Sequence, residues 1–286
     1  MSASLGYGDS LVLGIVEGLT EFLPVSSTGH LTIAEGLLGL PVDAPAVTAF
    51  TAIVQLGAIV ATFLYFRRDI VRLAVAWGRG LASADARKEP DYRFAWYVVA
   101  GSLPIMVVGL LAKPLITGPL RNLWVVAAAL VVWSGAMWFA ERVHAIRVEG
   151  GGEELDEESL SLRQVLGVGL MQCLALVPGV SRSGATISAG LLAGTSRVAA
   201  TRLSFFLAIP ALTAAGLYEL KDVDTSVVGT GPLVLGTIVA FAVAYASIAW
   251  LLRLVARHPI SVFVPYRVGA GIAVAILLVT RTLSAT

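Results

Sequence analysis

Apolar stretches of about 20 residues recur along the chain, the length a helix needs to cross a hydrocarbon core of roughly 30 Å. A backbone inside lipid must satisfy its own hydrogen bonds, so segments of that length predict helices. Six stretches qualify as spans: 46–66, 94–112, 122–140, 203–218, 230–252 and 263–281. Composition agrees, with 57% hydrophobic and 14% charged residues, against roughly 25% charged in a soluble domain. A soluble enzyme and a disordered chain are thereby excluded. Twenty Lys/Arg stand against 19 Asp/Glu, a net charge of +1 with no basic domain, so no nucleic-acid partner is expected. The lone Cys173 allows neither an intrachain disulfide nor a thiolate metal site. The first apolar run follows Asp9 with no basic segment ahead of it, so no cleavable signal peptide is expected.

Two further apolar stretches, 10–39 and 165–195, are broken in the middle. The first is interrupted at Pro24-Val25-Ser26-Ser27-Thr28-Gly29, the second at Pro178-Gly179-Val180-Ser181-Arg182-Ser183-Gly184. Each leaves two helices too short to cross, which predicts re-entrant hairpins with polar tips buried in protein. Arg67, Arg68, Arg72, Arg79, Arg87, Lys88 and Arg93 place the 67–93 connection in the cytoplasm. Connections 141–164 and 253–261 then fall on the same face, and 113–121 and 219–232 on the other. An offset that aligns Ser26 with Ser181 also aligns Gly14 with Gly169, Glu17 with Gln172, Ala34 with Ala189, Leu37 with Leu192 and Gly39 with Gly194. Each hairpin is followed by three spans, an odd number, so the second hairpin enters from the opposite face. The fold class expected is therefore all-α integral membrane, six transmembrane helices plus two re-entrant hairpins in an inverted-topology repeat. The first repeat covers 1–148, an acidic Gly-rich linker 149–161, and the second repeat 162–286. The linker, with Glu153, Glu154, Asp156, Glu157 and Glu158, reads as a solvated connection.

The polar residues of the two tips carry the chemistry. Glu17 and Glu21 are four apart and share a helix face. A carboxylate at bilayer depth costs about 2.5–3.5 kcal/mol on insertion scales, so a divalent cation, a proton or a basic partner must compensate. Hard oxygen ligands suit Mg²⁺ or Ca²⁺. Ser26, Ser27 and Thr28 open a helix, where they either cap it or help bind an anion at its N-terminus. His30 follows as a general base, a nucleophile or a structural residue. The second tip has Gln172 and Leu176 where the first has its carboxylates, Ala185 where the first has His30, and Arg182 in place of Ser27. Arg182 among Ser181, Ser183 and Thr186 matches phosphate; its plainer role is a structural ion pair with Glu21 or Glu17. The residues alone thus point to a midplane site for a phosphate head carried on an apolar tail. Elsewhere, His144 and His258 are expected to be solvated, Glu35 to cap, pair or line an entrance, and Cys173 to pack. Trp77, Trp96, Trp124 and Trp250 are expected to serve as interfacial anchors.

The segment from Glu17 to Leu31, EGLTEFLPVSSTGHL, resembles the first signature of the bacterial undecaprenyl-diphosphatase family, also called UppP or BacA. Pro178–Thr186, PGVSRSGAT, resembles its second, and Gln55–Ile59 and Arg202–Phe205 resemble further family segments. The resemblance covers essentially the whole chain and departs mainly at the linker 149–158. It implies hydrolysis of undecaprenyl pyrophosphate to undecaprenyl phosphate and inorganic phosphate, recycling the lipid carrier for wall polymers and conferring bacitracin resistance. It further implies a divalent cation, a homodimer and a multi-pass location in the bacterial plasma membrane. On these positions Glu17 and Glu21 would hold the metal or position water, and Arg182 would grip the terminal phosphate. Ser26, Thr28, Ser181, Ser183 and Thr186 would line the phosphate site. Ser27 with help from His30, His30 itself, or a Glu-activated water would attack phosphorus. A lipid-phosphate transporter is the rival reading, because inverted repeats with broken helices are also a transporter architecture.

Overall fold

The computed structural model describes residues 5–41, 44–220 and 229–285, and these form helices joined by short turns. The first broken pair is α1 (Tyr7–Thr20) and α2 (Ser27–Leu37). It is followed by α3 (Pro45–Tyr65), α4 (Arg67–Ala82), α5 (Pro90–Leu111), α6 (Lys113–Thr117) and α7 (Leu123–Glu149). The second broken pair is α8 (Leu162–Gln172) and α9 (Arg182–Ala193), followed by α10 (Arg197–Leu220), α11 (Thr230–Val255) and α12 (Val264–Val279). Six of these segments are long and apolar enough to cross a membrane: α3, α5, α7, α10, α11, and α12 with the short turn from Ile260 leading into it. Each coincides with an expected span. Helix α7 runs past 140 and α10 begins before 203, because a hydropathy window finds the lipid-facing part of a helix, not its end. Residues 221–228 of the connection between α10 and α11 lie outside the described residues.

The breaks follow from the sequence. Proline lacks an N–H and drives the residue before it out of helical geometry, so Pro24 and Pro178 keep the helix from resuming after α1 ends at Thr20 and after the 3₁₀ turn that follows α8 ends at Leu176. The next helix in each pair restarts from a serine with positive φ, Ser26 at 79° and Ser181 at 80°. Each serine caps its helix, Ser26 Oγ accepting from Gly29 N–H at 3.4 Å and Ser181 Oγ from Gly184 N–H at 3.1 Å. A non-glycine residue in that region stores roughly 1–3 kcal/mol of strain, and the same strained turn occurs in both halves.

Packing partners exchange between halves. Helix α11 packs on α1 and α3, while α5 packs on α8 and α10; α3 meets α10, and α7 meets α12. Small residues allow the closest approaches. A Cβ on Gly14 would lie 2.7 Å from the Gly236 carbonyl oxygen of α11, and one on Gly169 would overlap Gly101 of α5. The core beside the hairpins is aromatic: Phe22 meets Phe205 at 5.5 Å, Phe66 meets Phe205 and Phe206, and Phe94 meets Phe206 edge-on.

Two expectations are corrected at one end of the bundle. His144 is buried, not solvated, because α7 continues through it; its Nε2 lies 3.3 Å from Glu154. The acidic linker is a clasp, not a loose connection. Glu157 is buried against Arg202 Nε at 2.5 Å, Arg202 also reaches Asp69 at 3.2 Å, and Glu158 pairs with Arg72 at 2.7 Å. Arg72 bonds Asp91 as well. Glu141 of α7 holds Arg197 and accepts from Ile260 N–H at 2.8 Å. Connections 67–93, 141–164 and 253–261 therefore meet, as their shared charge-based assignment requires. His258 is exposed, as are Trp77, Trp96, Trp124 and Trp250.

The glycine contacts make a direct test. Gly169→Val should cost roughly 1–3 kcal/mol of stability by overpacking and lower the thermal midpoint of the detergent-solubilised protein by several degrees. Gly135→Val, with no atom within 4 Å of its would-be Cβ, should leave the midpoint unchanged.

Candidate active site

The two tips touch. Gly179 N–H donates to Ser26 Oγ at 3.0 Å, and Ser183 Oγ donates to the Leu23 carbonyl at 2.9 Å. A serine hydroxyl has one proton, so the 3.1 Å contact between Ser181 Oγ and Ser183 Oγ is donated by Ser181. Ser26, Ser181 and Ser183 thus build the tips in this structure, and for Ser26 this is the capping role that sequence offered as the plainer one. Thr186 donates to the Arg182 carbonyl at 2.8 Å and lies 2.6 Å from Ser204 Oγ. Thr28 is exposed.

Glu21 stands at the centre. It is 6% exposed, accepts from Ser27 Oγ through Oε2 at 2.5 Å, and pairs through Oε1 with Arg182 Nη2 at 3.3 Å. Carboxylate, hydroxyl and guanidinium come from both hairpins and form one connected group. Arg182 is further held by Nη1 on the Ser204 carbonyl at 3.2 Å, while its Nε has no partner among the described residues. Glu17 is buried next to this group with Oε1 also unpartnered. Buried polar atoms are nearly always hydrogen-bonded, so these two mark where the polar site is incomplete without a ligand.

That pattern also tests the expected cation. No cluster of three His, Cys, Asp or Glu side chains suited to a metal occurs among the described residues, so the protein offers no closed cage. Glu17 and Glu21 nevertheless supply hard oxygen donors, one of them free. This suits Mg²⁺ or Ca²⁺ shared between one or two carboxylates and a substrate phosphate.

His30 lies apart from Ser27's hydrogen bond. Its Nδ1 is 2.8 Å from the Ser26 carbonyl oxygen and its Nε2 is 2.7 Å from Tyr266 Oη. The basic group bonded to Ser27 is the Glu21 carboxylate.

Sequence reasoning missed Arg267, Tyr266 and Ser204. Arg267 is fully buried and donates to the carbonyls of Pro24 at 2.8 Å, Gly179 at 2.8 Å and Val180 at 3.1 Å, and to Ser134 Oγ at 3.2 Å. One guanidinium thereby satisfies carbonyls exposed by both helix breaks. The signal was present: an arginine inside an apolar span is expensive and marks a buried polar partner.

Fold and site together define a multi-pass helical membrane protein whose polar centre is made by two broken-helix tips meeting inside the bundle. Comparison with known sequences places it more narrowly. The chain belongs to the bacitracin resistance protein BacA family, whose profile matches residues 10–273. It is 54% identical over 282 residues to undecaprenyl-diphosphatase 1 of Streptomyces coelicolor, covering 98% of this chain and 99% of that protein. It is 55% identical over 281 residues to undecaprenyl-diphosphatase 1 of Streptomyces avermitilis, covering 98% and 99%. The undecaprenyl-diphosphatase of Acidothermus cellulolyticus is 57% identical over 272 residues, covering 95% and 96%.

The Arg267 clamp predicts a large packing effect. Arg267→Met leaves three carbonyls without donors, each at roughly 1–3 kcal/mol, and should sharply lower the thermal midpoint. Arg267→Lys, which retains a donor, should fall between the two.

Proposed function

We propose that the chain is an integral-membrane hydrolase that converts undecaprenyl pyrophosphate to undecaprenyl phosphate and inorganic phosphate. The observation that carries this reading is Glu21 bonded at once to a hydroxyl and to a guanidinium. The names of the full-length relatives supply the substrate. Carrying a phosphate needs cationic donors alone, whereas Ser27 held on a carboxylate is equipment for bond breaking.

In this mechanism the terminal phosphate takes Glu21's place on the Arg182 fork, and the unpaired Nε adds a donor. Arg182 then stabilises charge on the transferring group. Released from Arg182, Glu21 accepts the Ser27 proton as Ser27 Oγ bonds to phosphorus and the bridging P–O bond breaks, expelling undecaprenyl phosphate. Water then attacks the phosphoserine, the Oγ–P bond breaks, and Ser27 is reprotonated through Glu21. Glu17 and Glu21 would hold Mg²⁺ or Ca²⁺, which when bound neutralises charge on the pyrophosphate.

The architecture completes the reading. Broken pairs α1/α2 and α8/α9 are taken as re-entrant hairpins of an inverted repeat, 1–148 and 162–286 about the linker 149–161. Support comes from the exchanged packing partners and the matching positive-φ serines. It comes also from the ends of the second hairpin, where Gln164 Nε2 donates to the Ala193 carbonyl at 2.9 Å. The basic 67–93 connection supports a cytoplasmic position for that end. Plasma-membrane location, homodimeric association and protection against bacitracin follow from the family relationship.

The test is phosphate release from a polyprenyl pyrophosphate by the purified protein in detergent, with Mg²⁺, with Ca²⁺ and with chelator. Wild type should release phosphate only with cation, and Glu21→Gln, Ser27→Ala and Arg182→Ala should each lose on the order of 10²-fold or more. No release by folded wild type across several lipid lengths would overturn the reading. Activity retained by Ser27→Ala would replace the serine nucleophile with His30 or a Glu21-activated water, which His30→Gln then separates.

A further inference from the structure

Helix α12 approaches the first tip with two consecutive residues of different character. Arg267 is fully buried and fixes the helix to both tips. Its neighbour Tyr266 is 53% exposed and sets its hydroxyl 2.7 Å from His30 Nε2. The two rings stack, with centroids 5.6 Å apart and planes inclined by 15°.

The hydrogen bonds fix proton positions. The Ser26 carbonyl oxygen, 2.8 Å from His30 Nδ1, can only accept. The ring proton is therefore on Nδ1, and in the neutral imidazole Nε2 carries a lone pair. Tyr266 supplies the O–H that this lone pair accepts. Ser26 is itself locked, at positive φ and with its hydroxyl bonded to both tips. The ring is thus held at one nitrogen by the first hairpin and at the other by the last helix.

We propose that Tyr266 is a positioning residue for His30, donating to Nε2 of the tautomer that Ser26 sets and fixing the ring plane, so that whatever His30 contributes to turnover passes through the tyrosine hydroxyl. The kinetic side of this assignment rests on the phosphatase reading; the hydrogen-bond side does not. Tyr266 is placed to do this by its neighbour: Arg267 ties α12 to the Pro24 and Gly179 carbonyls, which sets the distance between helix and tip.

The experiment pairs kinetics with a spectroscopic readout on the full-length protein in detergent. Tyr266→Phe keeps the stacked ring and removes only the hydroxyl. It should lower kcat roughly tenfold, within the coupling range of contacting residues, with KM changed less than about twofold. In a His30→Gln background the same substitution should cost nothing further. A merely structural tyrosine would give equal losses in both backgrounds, and that result overturns the proposal. With ¹⁵N-labelled histidine, the His30 signals, assigned by their loss in His30→Gln, should report protonated Nδ1 and unprotonated Nε2 in wild type. In Tyr266→Phe Nδ1 should stay protonated on the Ser26 carbonyl while the Nε2 signal moves as it loses its donor. Unchanged His30 signals in Tyr266→Phe, or a wild-type Nε2–H tautomer, also overturn it. Should wild type release no phosphate, the phosphatase reading fails and the ¹⁵N signals still decide whether Tyr266 donates to Nε2. They decide likewise if His30→Gln is inactive.

Discussion

Breaking a helix inside a membrane protein strands backbone carbonyls and amides where no bulk water reaches them, and the rest of this structure depends on how they are satisfied. Two breaks occur, at Pro24 and Pro178, and each satisfies part of the other. Ser26 takes the Gly179 N–H, Ser183 gives its proton to Leu23, and Arg267 gathers carbonyls from both sides. These shared bonds bring two distant parts of the chain together around a polar centre inside an apolar bundle.

The same logic governs the charges. Two carboxylates and two guanidiniums lie at the centre, and removing one member of a buried pair leaves a charge uncompensated. Every nitrogen of Arg267 is engaged by a carbonyl or a hydroxyl, so it serves the backbone. Arg182 has an Nε with no partner among the described residues and a shared carboxylate, which leaves it a donor for an anion. The two buried arginines differ in use because they differ in what already occupies their donors. Glu21 is likewise divided between Ser27 and Arg182. In the proposed mechanism an anion arriving at Arg182 would change the state of Ser27, joining binding and activation through one side chain.

Away from the centre, the ion pairs of Arg72, Arg202 and Arg197 tie the acidic linker and the basic connection to α10. Helix α10 carries Ser204, whose carbonyl holds Arg182 and whose hydroxyl meets Thr186. The charged surface of the bundle and the interior arginine therefore share one helix.

Sequence by itself determined the helical class, the spans and the positions of the breaks, because hydrophobic length and proline act locally and leave a mark at fixed spacing. It also singled out Glu17, Glu21, Ser27, His30 and Arg182, since a polar side chain in an apolar run is conspicuous. Sequence did not reveal partners. That Ser27 bonds Glu21 and not His30 depended on how the chain turns between α1 and α2; that Ser183 ties the tips together and that His144 and Glu157 are buried depended on residues far away along the chain. Arg267 and Tyr266 were overlooked inside a span that hydropathy averaging had already explained. Tertiary structure decided these points for a physical reason: a hydrogen bond or ion pair is set by approach in space, and composition within a window carries no record of which distant helix arrives there.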